Sequence, residues 1–206
     1  RVEYSTIAET ALLIDVSYSM LMNDALHAGK KVALALHRLI QTKYPQDTLH
    51  LVAFRSNAKL IQAEDLPSIV SLTYFMEHGT DIKEALRYAR QLLGGNRSAN
   101  RQIILITDGE PTAATLDRGG RLHSGWGSAM LHGRIVHETL KEVKRCTQSG
   151  IKINTFMLGA DYYRQGFVDQ LSRMNTGRVF YTTPDQMGNY IMVDYLNNKR
   201  KRVRGT

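Results

Sequence analysis

The stretch Leu12-Leu13-Ile14-Asp15-Val16-Ser17-Tyr18-Ser19-Met20 limits the fold more than any other part of the chain. The apolar run from Ala11 to Val16 reads as a strand buried on both faces of a sheet. An aspartate and two serines then stand at alternate positions, and a helical spacing begins almost at once. Such a stretch puts three oxygen side chains at the carboxyl edge of a sheet, where open α/β sheets bind their ligands. Oxygen donors without nitrogen or sulfur suit Mg2+ or a similar hard cation.

The remaining chain alternates strands with helices. Apolar or small residues at Met22, Ala25, Leu26, Gly29, Val32, Ala33, Leu36, Leu39 and Ile40 predict one long helix. Thr48 to Phe54 predicts a strand, Lys59 to Ala63 a short edge strand, and Pro67 to Leu72 a short helix or turn. A helix from Ile82 stops at Gly94-Gly95, and a strand from Gln102 to Thr107 stops at Asp108-Gly109-Glu110-Pro111. A helix carrying Ile135 to Cys146 ends near Gly150. A strand at Ile151 to Leu158, a helix at Gln165 to Met174, a strand at Arg178 to Tyr181 and a helix at Asp185 to Leu196 follow. This order predicts a three-layer α/β/α, Rossmann-like, doubly wound fold with a mostly parallel six-stranded sheet and one short edge strand. Thr112 to Gly133 reads as one long irregular segment.

Right-handed crossovers bring every strand-to-helix loop to one edge of such a sheet. Asp15, Ser17, Ser19, Thr80 and Asp108 then form a shell of two carboxylates and three hydroxyls. Mg2+ takes six oxygens at about 2.0–2.1 Å and usually keeps some water. Five protein groups leave a coordination position for an outside oxygen, and an Asp or Glu of a partner is the natural donor. Each residue also has a local-structure reading: Ser17 and Ser19 as helix caps, Thr80 as the cap of the helix from Ile82, Asp108-Gly109 as a turn.

The pattern Asp15-x-Ser17-x-Ser19, with Thr80 in a second loop and Thr107-Asp108-Gly109 after a later strand, resembles the von Willebrand factor type A domain. The resemblance covers nearly the whole chain. It implies a metal-ion-dependent adhesion site formed by Asp15, Ser17, Ser19, Thr80 and Asp108, with Mg2+, or else Mn2+ or Ca2+, gripping an acidic residue of a protein partner. The run Ile-Thr-Asp-Gly-Glu-Pro-Thr at 106–112 is similar to intracellular bacterial members, which are often linked with AAA+ ATPases. The expected role is therefore a binding module and not an enzyme. His78, Asp81, Glu110 and Trp126 are expected around the site as a partner-binding rim or as supporting charges.

The rival chemistry is a phosphotransferase or hydrolase of the haloacid dehalogenase type, with Asp15 as nucleophile and Asp108 on Mg2+. That pattern needs a second carboxylate where this chain has Ser17. A phosphate-binding Gly-x-x-x-x-Gly-Lys-Ser/Thr loop, a Gly-x-Gly-x-x-Gly turn and a Gly-x-Ser-x-Gly elbow are all missing from the sequence.

The 206 residues fit one domain, expected at 1–198, followed by a basic tail at 199–206. Lys199, Arg200, Lys201, Arg202 and Arg204 supply most of the net charge of +8. The charge therefore belongs to a terminus and does not argue for a nucleic-acid groove across the domain. No apolar run reaches bilayer length, and one cysteine, Cys146, suits a reducing compartment such as the cytoplasm.

Overall fold

A computed structural model describes residues 4–5, 7–69, 79–95, 100–123, 129–158 and 165–201. The strands are β1 (Tyr4–Ser5), β2 (Ala8–Asp15), β3 (Thr48–Phe54), β4 (Ala58–Ile61), β5 (Asn100–Thr107), β6 (Ala113–Thr115), β7 (Arg121–His123), β8 (Lys152–Leu158), β9 (Val179–Thr182) and β10 (Arg200–Lys201). The helices are α1 (Tyr18–Met22), α2 (Ala25–Lys43), α3 (Ile82–Leu92), α4 (Ala129–Gln148), α5 (Gln165–Met174) and α6 (Pro184–Lys199), and a 3-10 turn spans Ala63–Ser68.

The main sheet has six strands in the order β4-β3-β2-β5-β8-β9, and only the edge strand β4 runs antiparallel to its neighbour. Side-chain alternation divides the core in two. Leu12 and Ile14 of β2, with Ile104 and Ile106 of β5, face Val32, Ala33, Leu36, Met187 and Ile191 of α2 and α6. Ala11, Leu13, Ile103 and Leu105 face the other way, onto Ile82, Leu86, Val143, Cys146 and Phe167 of α3, α4 and α5. Both faces of the sheet are thus buried, which is why the strands read as continuous apolar runs. From the central strand β2 the chain moves to β3 on one side and later to β5 on the other. The crevice beyond β2 and β5 is the switch point where such sheets take ligands.

Two segments differ from the sequence expectation. The helix expected from Met22 is two helices, broken at Asn23-Asp24. Asp24 adopts a left-handed φ of 54°, and no Gly or Pro marks the break. Thr112 to Gly133 is not irregular throughout. Antiparallel β6 and β7 make a hairpin across a turn containing Gly119 and Gly120, both at positive φ, and α4 already starts at Ala129. Arg200–Lys201, within the 199–206 stretch, pairs with Tyr4–Ser5 directly after α6 ends at Lys199. Among the described residues no helix is long and apolar enough to cross a membrane.

Candidate metal centre

Asp15 closes β2 and is wholly buried. Strand alternation puts it on the same face as Leu13, and the register Ile14↔Ile106 sets Thr107 beside it on β5. Asp15 Oδ1 accepts the Ser17 backbone N–H at 2.8 Å, and Oδ2 accepts the Thr107 hydroxyl at 2.7 Å. Burial pushes the Asp15 carboxyl up to about 6; the Thr107 bond opposes this, and the charge of Asp108 adds to it.

Ser17 occupies the cap position of α1 in an extended conformation, but its side chain makes no capping bond. Its hydroxyl lies 3.1 Å from Ser19 Oγ, and Ser19 Oγ donates to Asp108 Oδ1 at 3.0 Å. Ser19 has one proton and gives it to Asp108, so Ser17 is the donor in the first bond. The polar chain Ser17–Ser19–Asp108 joins the loop after β2 to the loop after β5. Capping therefore does not account for the two serines.

Thr80 does not cap α3 either. The cap is Asp81, whose Oδ1 accepts the Glu84 N–H at 2.9 Å. Thr80 N–H instead donates to Thr112 Oγ1 at 2.8 Å, while Thr80 C=O accepts from the backbone N–H groups of Thr112 and Ala113 at 3.0 and 3.2 Å. Thr80 is thereby tied to the segment that follows Asp108. Gly79 packs closely against the hairpin in a backbone conformation that L side chains rarely adopt. It has φ 108°, and a Cβ there would stand 2.8 Å from His123 Cδ2 and 3.1 Å from the Ala113 methyl.

The residues expected to rim the site are less open than their sequence positions imply. Asp81 is fully buried, and its Oδ2 accepts both the N–H and the hydroxyl of Thr115 at 2.7 Å. Burial raises its pKa, and these bonds act against the rise. Glu110 bonds His132 Nε2 at 2.8 Å through Oε2, and its Oε1 accepts the Phe167 N–H at 3.4 Å. It bolts the Asp108 loop to α4 and α5. His78 and Trp126 lie outside the described residues. The open side chains beside the site are instead Tyr18 and Met22 of α1, each about two-thirds exposed. They stand one helical turn apart.

Two participants were absent from the set read off the sequence. Thr107 was in plain view next to Asp108; the alternation that aims Asp15 and Thr107 at the same face would have found it. Thr112 gives no such signal, because its partner Thr80 is 32 residues away.

The donor set suits a hard divalent cation. It is all oxygen, and its two carboxylates, which repel one another when both are ionised, nearly neutralise a dication. Among the described residues no group of three or more His, Cys, Asp and Glu side chains gathers at this site or at any other; three of the five candidate donors are hydroxyls.

A doubly wound sheet with Asp, Ser, Ser, Thr and Asp on three loops at its carboxyl edge is the architecture of a von Willebrand factor type A domain. The profile of the Rv0959-like protein, vWA domain family matches residues 8–196, and the chain belongs to that family. It is 33% identical over 199 residues to the protein Rv0959 of Mycobacterium tuberculosis and equally to Mb0984 of Mycobacterium bovis. The match takes in 97% of this chain, which spans only 29% of the length of each relative. The fold is also that of the pilus adhesin SpaC from Lactobacillus rhamnosus GG, with TM-score 0.72, 17% identity and coverage of 94% of this chain and 30% of that one. The vWF domain of the type V pili tip protein Mfa5 from Porphyromonas gingivalis gives TM-score 0.67, 13% identity and coverage of 98% and 99%. A von Willebrand factor type A structure from Catenulispora acidiphila gives 0.60, 15% identity and coverage of 96% and 44%.

Proposed function

We propose that this domain is a metal-gated binding module: Asp15, Ser17, Ser19, Thr80 and Asp108 hold one divalent cation, Mg2+ before Mn2+ or Ca2+, directly or through water, and a protein partner adds an Asp or Glu. The observation that carries this reading is the Ser17–Ser19–Asp108 hydrogen-bonded chain beside buried Asp15. A bound dication supplies the electrostatic pull on an outside carboxylate. The protein's own residues orient the donors: Thr107 fixes Asp15, Ser19 fixes Asp108, and Glu110 anchors the loop between them and α5.

Binding is favoured over catalysis because the position that would need a second carboxylate for aspartyl-phosphate chemistry is Ser17, already engaged with Ser19. The family resemblance makes an AAA+ ATPase the first partner to test. The single cysteine suits a cytoplasmic setting: Cys146 is buried, with a thiol that burial pushes up to about 12, and it serves packing.

The test is thermal melting of wild type, Asp15→Ala and Asp108→Ala with Mg2+, Mn2+, Ca2+ or chelator, joined to partner capture from the native host with and without Mg2+. A cation held only by the folded state raises the wild-type melting temperature and leaves the variants unmoved. No metal-dependent shift in the wild type removes the site. Mg2+-dependent turnover of phosphate esters would replace the binding module with the hydrolase reading.

A further inference from the structure

Four of the five candidate donors take their places from the central sheet. Asp15 closes β2, Ser17 and Ser19 follow it within four residues, and Asp108 directly follows the neighbouring strand β5. Thr80 is different. It precedes α3 and lies on no strand, so something other than strand register must set its distance from Asp108.

The contacts that do so converge on the base of the β6–β7 hairpin. Thr80 and Thr112 form a reciprocal pair: the Thr80 N–H donates to Thr112 Oγ1 at 2.8 Å, and the Thr112 N–H donates to the Thr80 carbonyl at 3.0 Å. One residue on, the Asp81 carboxylate takes both donors of Thr115. One residue back, Gly79 packs against Ala113 and His123. Thr112 is only four residues beyond Asp108, so the pair closes a short circuit from Asp108 to Thr112 to Thr80. The hairpin is held in turn by Arg121 on Asn57, and by Asp117 between Lys83 and Arg145.

We propose that Thr112 is a positioning residue for the cation site, with Asp81 and Thr115 as its support: the hairpin base fixes Thr80 against the Asp108 loop and so sets the affinity for the ion. This inference rests on the cation-binding reading above. Thr112→Val keeps the side-chain shape but removes the acceptor for the Thr80 N–H. That donor sits on a residue only 8% exposed, so the loop must turn to recover a partner. Thr112→Ser keeps the acceptor.

The experiment titrates Mg2+ into wild type, Thr112→Val, Thr112→Ser and Thr115→Val by calorimetry, and melts each protein in chelator. The expected result is Mg2+ affinity weakened about tenfold in Thr112→Val, restored to within about twofold of wild type in Thr112→Ser, and weakened about threefold in Thr115→Val. A purely structural threonine would lower the melting temperature in chelator and leave the affinity of the folded protein unchanged; that outcome overturns the proposal. Equal weakening in the valine and serine variants also overturns it. Should Thr112→Val not fold, the Thr115→Val titration decides by the same criterion. Wild type that binds no divalent cation fails the preceding reading itself, whereas wild-type binding with unaltered variants fails this inference alone.

Discussion

The hydroxyl of Thr107 donates a 2.7 Å hydrogen bond to Asp15 Oδ2 between adjacent parallel strands, within a wholly buried environment. The bond favours the charged carboxylate that a cation needs, against a burial cost that favours the protonated one. Thr107→Val therefore moves the Asp15 carboxyl further up. Mg2+ titrations at pH 6, 7 and 8.5 are expected to show the largest loss of affinity at pH 6 and recovery toward wild type at pH 8.5. A loss of equal size at all three values would separate Thr107 from the protonation of Asp15.

Without a cation, Asp15 makes stability depend on pH. Its folded value of about 6 stands above the ordinary 3.8. Between the two, the folded protein keeps a proton that the unfolded chain has released. Stability from this group is thus present at low pH, falls as pH rises across that window, and stays lost above it. Asp15→Asn removes the dependence. In chelator, urea unfolding should show the stability of Asp15→Asn relative to wild type rising by about 2 kcal/mol between pH 4 and pH 7.5. Any constant offset from altered hydrogen bonds drops out of that difference, and saturating Mg2+ should abolish the trend.

Lys83 is 1% exposed, with Nζ 3.0 Å from both Asp117 and Glu138. It joins α3, α4 and the hairpin turn. Lys83→Ala removes the charge and the packed stem together and is expected to cost about 3 kcal/mol in urea unfolding, with Lys83→Met costing about half as much because it refills the space. Asp117 is held well below the usual carboxylate range by Arg145 and Lys83. Its contribution is present above the ordinary carboxylate value and fades as pH falls below it. The residue is nearly half exposed, so this contribution is small. The acid limb of unfolding should flatten slightly in Lys83→Met.

Gly177 lies against the backbone of β8. A Cβ at this position would fall 1.9 Å from the Ile153 carbonyl oxygen and 2.4 Å from its carbon. Asn175 Oδ1 draws the segments together by accepting the N–H groups of both Ile153 and Gly177. Gly177→Ala is expected to cost about 3 kcal/mol, since backbone and not a flexible side chain must give way. Ile153 lies near the start of β8, at the opposite end of the sheet from Asp15. Mg2+ affinity of the folded variant should match wild type, which makes it the control for the site variants.

The layers and the sheet were legible because both faces of the main strands are buried. The expected limits of Thr48–Phe54 and Gln165–Met174 coincide with β3 and α5. The break at Asn23-Asp24 was hidden because apolar spacing continues through it and Asp24 adopts a left-handed conformation without the glycine that usually announces one. The β6–β7 hairpin was hidden by strands of three residues each, too short for alternation to register. Of the candidate site, the five proposed oxygen donors stand in the sequence as a motif. Those that hold them do not, since Thr112 and Thr115 act on Thr80 and Asp81 through contacts 32 and 34 residues apart.

The pairing of Ile14 with Ile106 makes the central sheet a ruler for chemistry as well as a scaffold. Because side chains alternate, a single residue inserted into or deleted from β2 would carry Asp15 to the face covered by α2 and α6, and Thr107 would lose its acceptor. Substitutions change the candidate donors one at a time. A change of length in β2 or β5 has no mild form: it exchanges the two faces of a strand, and with them the core and the centre together.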